Sequence, residues 1–126
     1  MNRRRIGTVH EQEAADYLER EGFRIIGRNF ACRSGEIDII AEESVGMPCG
    51  GSTDYLVFVE VKYREAKDRD GGPLAAVNAV KQKRIIRTAR YYMLKHHLPE
   101  DTPVRFDVIG MSPGETVHIR DAFHVS

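Results

Sequence analysis

Apolar residues recur first at helical and then at strand spacing. Between residues 8 and 21, Glu11, Ala14, Ala15 and Leu18 fall at i, i+3, i+4 and i+7 and share one stripe of a helix. Thr8 followed by Glu11 has the form of a capping box, and Gly22 is a helix terminator. The pattern then changes. Phe23 to Phe30, Glu36 to Ala41 and Tyr55 to Tyr63 are rich in Ile, Val and Phe, and turn formers such as Arg33-Ser34-Gly35 separate them, which predicts three strands. Helical spacing returns over Leu74 to His97, after Gly71-Gly72-Pro73 and before Pro99. Val104 to Ile109 and Thr116 to Arg120 read as two further strands. The predicted order is αβββαββ, an α/β chain with one domain over residues 1–126. Glu42 to Asp54 is long for a hairpin connection and predicts a mobile loop; its glycines lack the lysine and spacing of a phosphate-binding loop.

Side chains alternate across a strand. Leu56, Phe58, Glu60 and Lys62 therefore share one face of the third strand, and Val57, Val59 and Val61 the other. Glu60 and Lys62 stand about 7 Å apart on that face, close enough to serve one phosphate or metal. Both faces are apolar where the strand begins, so the two charges interrupt a largely buried strand. A buried charge requires a partner or a metal, because isolation costs several kcal/mol. In the preceding strand Ile37 and Ile39 are expected on one face and Glu36, Asp38 and Ile40 on the other. Aspartate is disfavoured within strands, so Asp38 among isoleucines asks for a reason, and it can converge with Glu60 if the strands are neighbours. Glu36 lies nearer the turn, where exposure is the default. Glu11 faces inward by its helical stripe, although an acidic residue there also suits the helix dipole.

The second helix is two-faced. Ile85, Ile86, Ala89, Tyr92 and Met93 form its apolar side, and Lys83, Arg84, Arg87, Arg90 and Lys95 its basic side. A stripe of one sign can contact phosphates, as well as being an ordinary solvated face. Gln82 falls in the apolar sector and Lys81 at its margin, where either can approach a site on the sheet. Arg105 and Asp107 alternate with Val104, Phe106 and Val108, which points to a structural ion pair.

Composition narrows the reading without directing it. The chain has 126 residues, 19 basic and 19 acidic, so net charge offers no support for nucleic-acid binding. No apolar run reaches the ~20 residues of a membrane span, and no export signal follows the basic Met1 to Arg5. Cys32 and Cys49 lack the spacing of a zinc site, so a reduced, cytoplasmic protein is the expectation. The histidines show no metal-ligand spacing either.

His10-Glu11, Gly35-Glu36-Ile37-Asp38-Ile39-Ile40-Ala41, Phe58-Val59-Glu60-Val61-Lys62-Tyr63-Arg64 and Arg105-Phe106-Asp107-Val108 occur in an order that resembles the YraN-like family. That family is similar to Holliday-junction resolvases and to the restriction-endonuclease-like superfamily. The resemblance spans nearly the whole chain. It implies an αβββαβ core with a central mixed sheet flanked by helices. It further implies Asp38, Glu60 and Glu11 as metal-binding carboxylates, Lys62 as catalytic lysine, and Mg²⁺ or Mn²⁺ as cofactor. DNA is the implied substrate, with RNA left open and a homodimer the arrangement common among junction resolvases. Lys81, Gln82, Arg84, Arg87 and Arg90 are the candidate nucleic-acid contacts. The family usually has Gly where this chain has His10, and a shorter hairpin after Ala41. The alternative is a catalytically inactive module of the same fold that binds nucleic acid or a partner and uses these charges as an ion-pair network.

Overall fold

The computed structural model describes residues 3–65 and 72–125, with side chains from residue 9 onward; Gly71 and the side chain of Thr8 lie outside that description. Helix α1 (Arg3–Arg20) leads into strands β1 (Arg24–Cys32), β2 (Gly35–Gly46) and β3 (Ser52–Tyr63). A 3-10 turn (Pro73–Ala76), helix α2 (Ala79–Lys95) and strands β4 (Val104–Ser112) and β5 (Glu115–Phe123) follow. The five strands form one sheet in the order β1-β2-β3-β4-β5. Among the described residues only β3 and β4 pair in parallel. A parallel pair needs a crossover, and the 3-10 turn with α2 supplies it. The result is an α/β fold with a mixed sheet and two helices, in agreement with the expected αβββαβ core.

The sheet is covered on both faces. Ala14, Ala15 and Leu18 of α1 pack with Ile39, Ala41, Val57, Val59 and Ile109. Ile85 and Ala89 of α2 pack with Ile37, Ile40, Leu56, Phe58, Phe106 and Val108. The predicted inward stripe of α1 and the two faces of β3 are thus realised.

Four expectations are corrected. Helix α1 begins at Arg3, so Thr8 lies within it and does not cap its start. Glu42 to Asp54 is not a long loop: β2 and β3 pair as far as Gly46↔Ser52, leaving a tight connection over 47–51. Met47 N–H donates to Gly51 O at 3.0 Å, and Gly50 and Gly51 supply the positive φ values of 94° and 73° that close it. Polar residues such as Glu42, Ser44 and Asp54 hid the strand there, because the exposed end of a hairpin needs no apolar alternation. Finally, Ile37 and Ile39 do not share a face. Ile37 joins the core beneath α2 and Ile39 the core beneath α1, so the alternation shifts at Asp38.

The second helix also starts later than its apolar spacing predicts. Asn78 caps α2, its Oδ1 accepting the Lys81 N–H at 3.0 Å, while Gln82 Nε2 donates to Val77 O at 2.9 Å. These bonds separate the 3-10 turn from α2. The turn lies against β4 so closely that a Cβ on Gly110 would sit 2.1 Å from Pro73 Cγ, so glycine is required there.

Arg105 and Asp107 form the expected ion pair, within a larger network. Arg105 Nε and Nη2 donate to the two Asp107 oxygens at 2.8 and 2.9 Å, and Arg105 Nη2 lies 2.7 Å from Glu43 Oε1. His118 Nε2 lies 2.8 Å from Asp107 Oδ2, and Asp121 N–H donates to Asp107 Oδ1 at 3.0 Å. Burial opposes ionisation of Asp107, but His118, Arg105 and the Asp121 amide outweigh it and hold the carboxyl below its ordinary range.

Candidate metal centre and substrate cleft

The β2–β3 ladder ends at Ile39↔Val59. Beyond it Asp38 Oδ2 accepts the Val61 backbone N–H at 2.7 Å, so a side chain occupies the fork where a strand carbonyl would otherwise lie. This bond accounts for the shift in alternation at Asp38 and holds the carboxylate against β3.

Glu11 reaches the same place from α1 and Glu36 from the start of β2. One ligand oxygen from each of Glu11, Glu36 and Asp38 lies within 4.8 Å of the others. Asp38 and Glu11 are half-buried and Glu36 exposed, so the group opens to solvent on one side. Burial, then Glu60, with smaller contributions from Glu11 and Glu36, push the Asp38 carboxyl from its ordinary 3.8 up to about 8, against the opposing bond from Val61. Beside Glu11, the ring of His10 stacks on Tyr63 with centroids 3.8 Å apart and planes 8° from parallel, which ties the middle of α1 to the end of β3.

Glu60 stands next to this group but faces cations. Its Oε1 lies 3.2 Å from Lys62 Nζ and 3.0 Å from Lys81 Nζ, and the residue is only 7% exposed. Burial, followed by the nearby Lys81, lowers the Lys62 pKa from its ordinary value. Glu36, Asp38, Glu60, Lys62, Lys81 and Arg84 line one open cleft of about 720 Å³ between the start of β2, the end of β3 and the start of α2. The cleft presents carboxylates and cations together. Such an arrangement can hold a hard cation and a phosphate side by side.

The candidate residues therefore separate into groups. Asp38 and Glu11 come together with Glu36, whose proximity to the turn had pointed to simple exposure; strand position alone carries no sign of that convergence. Glu60 and Lys62 sit together as their shared face predicts, joined by Lys81. Arg84 borders the cleft and Arg87 is exposed on α2. Gln82 is engaged by Val77 O, and Arg90 lines a different groove with Met93, Leu94, Phe106 and Phe123. The Asn78 cap puts Lys81 in the first turn of α2, where the helix dipole disfavours a cation, a position hidden from the sequence reading by the predicted start at Leu74.

Among the described residues no helix is long and apolar enough to cross a membrane. Relatives with high identity run along almost the full length of the chain. A protein of Lachnoclostridium phytofermentans is 47% identical over 123 residues, covering 98% of this chain and 96% of its own. One from Symbiobacterium thermophilum is 44% identical over 126 residues, covering 96% and 98%. One from Chloroflexus aurantiacus is 43% identical over 110 residues, covering 87% and 81%. Each is named a UPF0102 protein. Residues 10–111 match the profile described as "Uncharacterised protein family UPF0102", and the stretch from His10 to Met111 includes every residue of the cleft; the chain belongs to that family.

Proposed function

We propose that this protein is a metal-dependent endonuclease that hydrolyses phosphodiester bonds in DNA. One observation carries the reading: Glu11, Glu36 and Asp38 have oxygens within 4.8 Å of one another, and Glu36 and Asp38 line the cleft that also presents Lys62. The donors are all oxygens, as Mg²⁺ or Mn²⁺ prefers, and the burial that drives Asp38 toward its neutral form is what a divalent cation would reverse. Glu11, Glu36 and Asp38 would hold the ion, with Glu60 adjoining. When bound, the cation supplies Lewis-acid polarisation of the phosphoryl group and a more acidic water.

The chain's own residues supply the rest. The Val61 amide fixes Asp38 in place. Lys62, in the same cleft, offers an ammonium to the charge that develops on a phosphate oxygen in the transition state. Arg84 at the rim and Arg87 further along α2 extend the positive surface by which a nucleic-acid backbone would be guided. Two copies would bring two such clefts to two strands, as junction cleavage requires.

Cleavage of branched, single-stranded and duplex DNA, and of RNA, with Mg²⁺ or Mn²⁺ tests the reading. Wild type cleaves at least one DNA form, and Asp38→Ala and Lys62→Ala each lose about 100-fold or more in rate. Retention of metal-dependent cleavage by both variants removes the site assignment. Tight binding of DNA or another partner by a wild type that never cleaves supports the inactive-module alternative, in which the same charges serve as an ion-pair network.

A further inference from the structure

Two ammonium groups converge on a single carboxylate oxygen. Lys62 and Lys81 lie 3.2 and 3.0 Å from Glu60 Oε1, so this part of the cleft carries more positive charge than Glu60 neutralises. The lysines come from opposite sides of the cleft, Lys62 from the end of β3 and Lys81 from the first turn of α2. That first turn contains no acidic residue, and its dipole disfavours a cation at the position Lys81 holds. Glu60 offsets the cost. Lys81 is only partly buried, its side chain 36% exposed, and it reaches the cleft where Asp38 and Arg84 also appear.

From this we infer that Lys81 is a second phosphate-binding residue, and that it exchanges partners, leaving the Glu60 carboxylate for a substrate phosphate when a divalent cation draws Glu60 toward Asp38. The inference rests on the nuclease reading for its substrate class and adds a residue and an ordering to it. Glu60 and Asp38 line the same cleft, and Asp38 is bonded to the backbone amide of Val61, the residue that follows Glu60. A cation held by Glu11, Glu36 and Asp38 attracts Glu60 and repels both lysines. The ammonium with the longer free path to solvent is Lys81, since Lys62 is the less exposed, at 25% against 36%. Without a cation, the Glu60 clamp neutralises part of the positive surface and weakens its hold on phosphate. With one, Lys81 is free to meet a phosphate beside Arg84. The exchange makes cation and nucleic-acid binding mutually favourable, as linkage requires.

Two binding measurements test this without any turnover. The first is Mn²⁺ affinity of the intact protein by calorimetry, with no nucleic acid present. Lys81→Met binds Mn²⁺ about 3- to 10-fold more tightly than wild type, because a competing and repelling ammonium has gone. The second is binding of a fluorescently labelled single-stranded DNA oligonucleotide with and without Ca²⁺. Wild type gains affinity on addition of Ca²⁺; Lys81→Met loses most of that gain, and Lys81→Arg, which keeps the charge, retains it. Thermal melts of the three proteins establish that each is folded. Unchanged or weakened Mn²⁺ affinity in Lys81→Met overturns the exchange, as does full retention of the Ca²⁺-dependent gain. Failure of the nuclease reading would show elsewhere, as absence of cleavage by wild type, while these binding shifts persist.

Discussion

Asp38 Oδ2 accepts the backbone N–H of Val61 at 2.7 Å, immediately beyond the last ladder pair, Ile39↔Val59. A carboxyl group here does two jobs: it satisfies the Val61 amide beyond the end of the ladder, and it brings a third oxygen donor to Glu11 and Glu36. The two jobs are separable by substitution. Asp38→Asn keeps an acceptor for Val61 but cannot ionise, so it is expected to remain as stable as wild type near pH 6 or more so, while losing cation binding. Asp38→Ala also strands the amide and costs roughly 1–3 kcal/mol. Urea denaturation alongside Mn²⁺ titration of both variants decides; equal stability of the two would mean that the Val61 bond contributes little.

The raised pKa of Asp38 has a consequence for stability without metal. In the unfolded chain this carboxyl loses its proton near its ordinary 3.8, whereas in the fold it keeps the proton until about pH 8. Its favourable contribution is therefore complete below about pH 4 and is lost as the pH rises to about 8. At pH 8 Asp38→Asn is expected to melt roughly 5–10 °C above metal-free wild type, the gap closing toward pH 4. Addition of Mg²⁺ at pH 8 raises the wild-type melting temperature and leaves Asp38→Asn unmoved. Parallel pH profiles for the two proteins would contradict the electrostatic account of the site.

The network around Asp107 predicts the opposite slope. Its carboxyl is held below the ordinary range, so its stabilisation is present above about pH 4 and disappears as the pH falls through the lower folded value. Asp107→Ala leaves Arg105 buried without its two hydrogen bonds to that carboxylate and is expected to cost roughly 3–5 kcal/mol at pH 7. None of Glu43, Arg105, Asp107 or His118 lines the cleft, so cleavage per folded molecule stays within about twofold of wild type. A large fall in rate without a fall in stability would place this network in the chemistry.

The basic side of α2 divides at Arg90. Arg84 borders the cleft, whereas Arg90 lies with Leu94, Phe106 and Phe123 on a separate groove. DNA affinity should fall with salt, and Arg84→Ala and Arg87→Ala should each lower the salt slope by about one phosphate contact. Arg90→Ala should leave both affinity and slope unchanged. Equal losses at all three positions would show that the backbone runs along the whole helix.

Much of this architecture is decided by local chemistry. The α/β order follows from changes of apolar period, and the two faces of β3, the inward stripe Glu11-Ala14-Ala15-Leu18 and the Arg105–Asp107 pair follow from alternation or helical spacing. Each involves residues a few positions apart, where backbone geometry leaves little freedom. The tertiary structure decided what those periods meet. It brought Glu36 to Glu11 and Asp38, set Lys81 against Glu60, moved Arg90 away from the cleft and converted an expected loop at 42–54 into paired strands. These outcomes depend on where the β2–β3 ladder ends and where the crossover sets down α2, both fixed by packing between residues far apart in the chain. The alternation shift at Asp38 belongs to that class: only a neighbouring strand with an amide to satisfy, that of Val61, can draw an aspartate out of the pleat.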